Sequence, residues 1–145
     1  MLGRKDYTRE ELDRAKATIS RQMTAYKKIA KSVDGSANGS KAASALDGFD
    51  AEFFNNMVLV LDRPFVHRLR MATGKDCNPL NEVELLVDAL LNNRGTFRTN
   101  NVIKYDPEKT VLKIDDGEVI QLDAAGFERL SKAFFEDLEA NFVAR

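Results

Sequence analysis

The sequence has very few of the residues that form metal centres and covalent cross-links. Its 145 residues include one cysteine, Cys77, and one histidine, His67. A single cysteine cannot form an internal disulfide, and alone it cannot hold a structural zinc ion. A single histidine excludes zinc sites that use histidine pairs and di-iron sites that use two Glu-x-x-His motifs. We therefore expect neither a metal site nor a cofactor.

Long hydrophobic runs are also absent. No stretch approaches the roughly 18 consecutive apolar residues of a membrane-spanning helix. Residues 1–6 lack the apolar region of a signal peptide. The composition, 43% hydrophobic and 31% charged, is that of an ordinary globular domain. The sequence therefore predicts a cytoplasmic protein with no membrane partner.

Charge is distributed unevenly along the chain. Residues 1–33 contain nine Lys or Arg against four Asp or Glu, a net charge of +5. Residues 106–145 contain five against ten, a net charge of −5. The two segments can attract each other within one fold or across a dimer, and the basic segment can also meet nucleic acid.

An amphipathic helix is predicted near the N-terminus. Thr8 and Glu11 have the spacing of a capping box, and Asp34-Gly35 marks the end. Apolar residues recur every three or four positions: Leu12, Ala15, Ile19, Met23, Tyr26, Ala30 and Val33. A stripe this narrow suits a partner helix better than burial in a compact core. We interpret residues 1–33 as an interaction helix that contacts its partner through Leu12, Ile19, Met23, Tyr26 and Val33, and we expect a homodimer.

The composition changes after this helix. Residues 34–48 are mostly Gly, Ser, Ala, Asn and Asp, which is typical of a flexible linker. Residues 49–145 then form the predicted core domain. Its central helix has seven apolar residues of nine across positions 53–61, so we expect it to be buried. Pro64 interrupts this helix, either by a kink or by starting a new one.

The rest of the core domain is predicted to combine helices with a small sheet. Asn78-Pro79 caps one helix, and Asp123 caps the last. Short β-prone runs separated by turns lie between these helices, at residues 102–105, 111–114 and 118–122. The predicted fold class is therefore α+β, mostly α: a bundle-like domain of four to five helices with an antiparallel β-meander at about 102–122.

Three potential cations follow the central helix. Arg63, His67 and Arg70 have the spacing i, i+4 and i+7, which places them on one helical face, where they could bind a phosphate or a carboxylate. In the alternative, the arginines form ion pairs with acidic side chains, among them Glu82, Glu84 and Asp88, and His67 is structural. The pattern thus leaves an anion site and a set of structural ion pairs open.

No catalytic set is recognisable. His67 has no Gly-x-Ser-x-Gly elbow beside it, and no nucleophile–base pair can be assembled. The first helix could dock on nucleic acid through its basic residues, namely Arg14, Arg21, Lys27, Lys28 and Lys31. The overall net charge of −1 and the lack of a recognition motif oppose that interpretation.

Four segments carry a family resemblance: FFNNMVLVLDR (53–63), FVHRLR (65–70), GKDCNPLNEV (74–83) and NNVIK (100–104). On these segments, about two thirds of the chain resembles a family of small uncharacterised actinobacterial proteins. The resemblance implies a bacterial cytoplasmic context and supplies no catalytic residue.

These patterns favour a non-catalytic helical protein-interaction protein that forms homo-oligomers. The alternative is a binding module for a phosphorylated small molecule or nucleic acid at the face formed by Arg63, His67 and Arg70. An enzyme ranks third, because neither a nucleophile with its base nor a set of metal ligands is present in the sequence.

Overall fold

The computed structural model describes residues 3–35 and 39–143. These residues form five α-helices: α1 (Arg9–Asp34), α2 (Gly39–Asp62), α3 (Arg70–Thr73), α4 (Pro79–Asn92) and α5 (Ala124–Phe142). Two short 3₁₀ turns, Arg63–Phe65 and Pro107–Lys109, lie between them. The core lies where α1, α2, α4 and α5 meet.

The capping box predicted for α1 is confirmed. The Thr8 hydroxyl accepts the Glu11 N–H at 3.0 Å, and the Glu11 carboxylate accepts the Thr8 N–H at 2.8 Å. Arg4 adds two further bonds to the same carboxylate, at 2.8 and 2.9 Å. The hydrogen bonds from Arg4 have the largest effect on the pKa of Glu11, followed by the bond from the Thr8 backbone. Together they lower this pKa from 4.5 to about 2.

The apolar stripe of α1 is buried within its own chain. Leu12, Ile19, Met23 and Tyr26 are all buried in the common core, whereas Val33 is only half-buried. Tyr26 donates its hydroxyl to Asp50 at 2.6 Å and stacks on Phe53. Burial, and next this bond to Asp50, raise the pKa of Tyr26. The stripe was expected to contact a partner helix rather than a compact core, but it packs against α2 within the core of the same chain.

The linker prediction is wrong for residues 39–48, because α2 begins at Gly39. Residues 36–38 of the predicted linker lie outside the described residues. Ala is the best helix former, and the stretch from Lys41 to Leu46 contains three alanines and one leucine. Leu46 also packs against the core, so tertiary contact adds to this propensity. In residues 39–48, the small residues form a helix and not a flexible linker.

The central and C-terminal helices are confirmed. The side chain of Asn78 caps α4 through the Asn81 N–H at 2.9 Å, and Asp123 caps α5 through the Gly126 N–H at 2.7 Å. One face of α5 is apolar and buried, at Phe127, Leu130, Phe134, Leu138 and Phe142. Around Phe53–Leu61, α2 buries Phe54, Met57, Val58 and Leu61 but not its remaining apolar residues.

The antiparallel β-meander predicted at about 102–122 is wrong, because the described part of the chain contains no β-strand and only three isolated bridges. Side chains accept several of the N–H groups that a sheet would have paired. The buried carboxylate of Glu82 accepts the N–H groups of both Val111 and Leu112, each at 2.9 Å. The Asn100 side chain likewise accepts the N–H of Ile103 at 2.9 Å. The fold is therefore helical with a long irregular segment before α5.

The opposite charges of the two ends meet within one chain. Arg9 and Lys16 of α1 pair with Glu139 of α5, and Lys27 pairs with Glu128. The side of α1 that faces α5 is therefore neutralised by these contacts. Among the described helices, none is long and apolar enough to cross a membrane.

Candidate interaction groove

The three cations predicted to share a helical face do not lie on one helix. Helix α2 ends at Asp62, Arg63 lies in the following 3₁₀ turn, and His67 lies in the next turn. The backbone carbonyl of His67 accepts the Arg4 N–H at 2.7 Å, and the side chains of Arg63 and His67 are both exposed. Proline at position 64 ends the regular helix, which removes the i, i+4, i+7 alignment.

Arg70 forms hydrogen bonds and an ion pair with neighbouring residues. Its guanidinium donates to the Asn81 side chain at 2.6 Å and to the Gly74 carbonyl at 3.1 Å. It also forms an ion pair with Glu84, one of the carboxylates that the ion-pair alternative names. Arg70 therefore joins α3 to the start of α4, and anion binding by the three predicted residues remains a prediction.

Among the arginines that the structure describes, Arg68 is the most buried, and the sequence did not single it out as a site. It donates to Asp62 at 2.8 Å and to the carbonyls of Phe65 and Leu80 at 2.9 and 3.0 Å. The side chains of Arg68 and Asp62 are only 4% and 8% exposed. This arginine closes the turn between α2 and α3. No motif in the sequence distinguishes it from its neighbours Arg63 and Arg70.

A groove of about 650 Å³ lies between α1 and the end of α2. The two helices are antiparallel, because Tyr26 meets Asp50 while Ile19 shares the groove with Leu59. Its floor and walls are mainly apolar, formed by Ala15, Ile19, Leu59, Val60, Leu61 and Pro64. It is open to solvent along one side, so it has the size of a ligand site and the shape of a docking groove.

The groove exists because α2 is apolar on more sides than the core covers. Phe54, Met57 and Leu61 face the core, whereas Leu59 is half-buried and Val60 is 37% exposed. The sequence predicted burial for the whole run, which holds for the inner side alone. Apolar side chains that line an open groove are typical of an interaction surface.

The rim of the groove is basic. Arg14 and Arg63 line it, both are exposed, and neither forms an ion pair with any described residue. Glu11 also lines it, but Arg4 neutralises that carboxylate. The groove therefore carries two uncompensated positive charges beside an apolar floor.

A second concavity of about 650 Å³ lies beside the turn before α4. Three lysines line it, namely Lys75, Lys104 and Lys109, together with Asp76 and Asp106. Cys77 accepts the Asp106 N–H at 2.7 Å and contacts the Lys104 carbonyl at 2.8 Å, so its sulfur holds this loop in place. The lysines are exposed, and two carboxylates dilute their charge.

Residues 3–35 and 39–143 contain no group of three or more His, Cys, Asp or Glu side chains arranged to hold a metal ion. Comparison of the chain with protein-family models finds no match. Comparisons with curated proteins and with solved structures find none either. The resemblance to small actinobacterial proteins thus stays a prediction.

Proposed function

We propose that this protein is a non-catalytic helical protein-interaction module that holds a segment of a partner protein in the groove between α1 and α2. The observation that carries the proposal is the apolar side of α2, at Leu59 and Val60, which the chain's own core leaves in an open groove. This function belongs to the class that the sequence favours, but it uses a different surface. The stripe from Leu12 to Tyr26 is mostly buried by intramolecular packing, and only its edge at Ala15 and Ile19 reaches the groove.

The geometry favours a foreign chain over a second copy. A two-fold symmetric contact places the same patch of both copies against itself. Here it would bring Arg14 and Arg63 of one copy toward the same arginines of the other, and like charges oppose association. The α5 carboxylates Glu128 and Glu139 already pair with α1, so these two groups of a second copy are not available to Arg14 and Arg63.

The experiment is a selection of peptides that bind the groove. A display library of amphipathic peptides of about 15 residues, a length at which isolated helices begin to be stable, is panned against the protein. Enriched peptides are then tested against Thr18→Trp, which fills the groove from a half-buried position of α1. The matched control is Ala17→Trp, on the exposed side of the same helix.

We expect peptides that bind the wild type and Ala17→Trp but not Thr18→Trp. Enrichment that ignores the Thr18→Trp change, or no enrichment at all, would overturn the proposal. Light scattering on the same samples tests the homodimer. A dimer that Thr18→Trp dissociates would show that a second copy occupies the groove and would overturn the choice of a foreign partner.

A further inference from the structure

We infer that the segment taken by the groove is an acidic amphipathic helix, with apolar residues against the floor and carboxylates opposite Arg14 and Arg63. This inference rests on the proposed function and adds the chemistry of the partner. It follows from the shape of the groove, from its length and from the charge of its rim.

The shape selects a helix. Short peptides dock on proteins by adding a strand to a sheet edge, by laying a helix face into a groove, or as a polyproline II helix in an aromatic-lined groove. No aromatic side chain of the described residues lines this groove, which disfavours the polyproline mode. Residues 3–35 and 39–143 offer no sheet edge, since they contain no β-strand. The walls of the groove are the sides of two antiparallel helices, and a third helix fits such a groove by ridge-and-groove packing.

The length of the groove matches a short helical motif. Its wall on α1 runs from Glu11 to Ile19, eight residues apart and so about 12 Å long at 1.5 Å per residue. A helix with apolar anchors at i, i+3 or i+4, and i+7 presents them over about 10.5 Å. Two helical turns of the partner therefore cover the floor formed by Ala15, Ile19 and Val60.

The rim selects acidic flanks. Arg14 is on the α1 wall and Arg63 is at the end of the α2 wall. Each guanidinium can bind a carboxylate with two parallel hydrogen bonds, a geometry that lysine does not provide. The other cations of α1 that have acidic partners face α5: Arg9, Lys16 and Lys27 are already paired there. The two rim arginines have no such partner among the described residues.

The surface around the groove extends this character. Arg14, Arg21 and Lys28 are separated by seven residues each, so they form a row along one side of α1, and all three are exposed. On α2, Phe49, Phe53 and Val60 are separated by four and by seven residues, so they also share one side of their helix. Phe49 and Val60 are 49% and 37% exposed. A basic row beside an apolar row is complementary to an acidic amphipathic helix.

The test first determines the charge of the selected peptides and then removes that charge by substitution. We expect the library, with its flanking positions randomised among Glu, Gln and Lys, to be enriched in Glu. One enriched peptide is then made with Glu→Gln changes, and the protein is made as Arg14→Ala/Arg63→Ala. Each change should weaken the affinity measured by fluorescence anisotropy about tenfold or more. Added salt should weaken the binding of the acidic peptide but not that of its Glu→Gln form.

The control variant is Arg129→Ala, an exposed arginine on α5 that does not line the groove. It should leave the affinity unchanged. Peptides that depend on the groove but show no preference for Glu would overturn the inference and leave the proposed function standing. If no groove-dependent peptide appears, both fail.

An anionic membrane surface is the competing partner, and one further measurement separates it. Vesicles of phosphatidylglycerol and phosphatidylcholine are sedimented with the wild type and with Thr18→Trp. We expect no co-sedimentation. Binding to these vesicles without any groove-dependent peptide would overturn the inference in favour of a lipid surface.

Discussion

Arg68 and Asp62 form a buried ion pair across the turn that ends α2, with 2.8 Å between Nη1 and Oδ1. The guanidinium carbon of Arg68 also lies 5.5 Å from the centroid of the Phe134 ring, and the side chain donates to the carbonyl of Leu80. Arg68 therefore links the turn to α4 and α5. The neighbouring Arg63 has none of these contacts and faces the groove. Two arginines five positions apart thus have different roles: one holds the fold, and the other is available to a partner.

Replacing Arg68 with Ala should cost about 3–5 kcal/mol of unfolding free energy, because it leaves the buried Asp62 carboxylate without its partner. Urea denaturation followed by circular dichroism measures this cost. Arg63→Ala is the matched control and should change stability by no more than about 0.5 kcal/mol, as expected of an exposed side chain. Equal effects of the two changes would contradict the division of roles.

Gly48→Ala should stabilise the protein by about 0.5–1 kcal/mol, because Gly48 lies inside α2 and an added Cβ meets no atom within 4 Å. Gly95→Ala is the matched control. Its added Cβ is equally free of contacts, but its φ of +80° disfavours any other residue, so it should lose about 1 kcal/mol. Thermal denaturation of both variants checks this. No gain from Gly48→Ala would contradict a helix that begins at Gly39.

Glu82→Ala should expose the backbone N–H groups of Val111 and Leu112 to exchange, because the carboxylate is their acceptor. Burial raises the pKa of Glu82, and the same two bonds act against that rise. Amide hydrogen exchange by NMR should show faster exchange at both positions, with Glu84→Ala as the control. Unchanged protection would contradict the role of Glu82 in place of a sheet.

Acid should remove the stabilisation of the folded state that the ionised Glu11 carboxylate provides. Its pKa is about 2 in the folded chain and 4.5 ordinarily, so the folded state binds this proton more weakly than the unfolded state. The stabilisation is therefore complete above about pH 4.5 and is lost as the pH falls toward 2. The difference in melting temperature between the wild type and Glu11→Gln should shrink over that range and in high salt. A difference that is independent of pH would contradict the assignment.

The parts of the fold that depend on local chemistry could be predicted from the sequence. Thr8, Asn78 and Asp123 each cap a helix within a few residues of their own position, so short-range patterns were sufficient. The segment 102–122 could not be predicted, because Val111 and Leu112 bond to Glu82, which is about 30 residues away. The β-prone run at 111–114 forms no strand, because a remote carboxylate accepts its first two N–H groups.

The candidate site was only partly visible for a similar reason. The sequence identified Arg63 as a possible anion ligand and Arg14 as a possible nucleic-acid contact, on two separate elements. Only the antiparallel packing of α1 on α2 places them around one groove. The apolar excess around Val60 was visible in the sequence, but which side of α2 the core would leave uncovered depends on the tertiary fold.

Methyl NMR can show whether the groove between α1 and α2 binds a partner segment. An acidic peptide enriched in the selection is titrated into protein labelled at its Ile, Leu and Val methyl groups. We expect the methyl resonances of Ile19, Leu59 and Val60 to shift first and Thr18→Trp to abolish these shifts. Shifts confined to Ile103 and Val111, which do not line the groove and lie within two residues of the lysines of the second concavity, would refute groove binding.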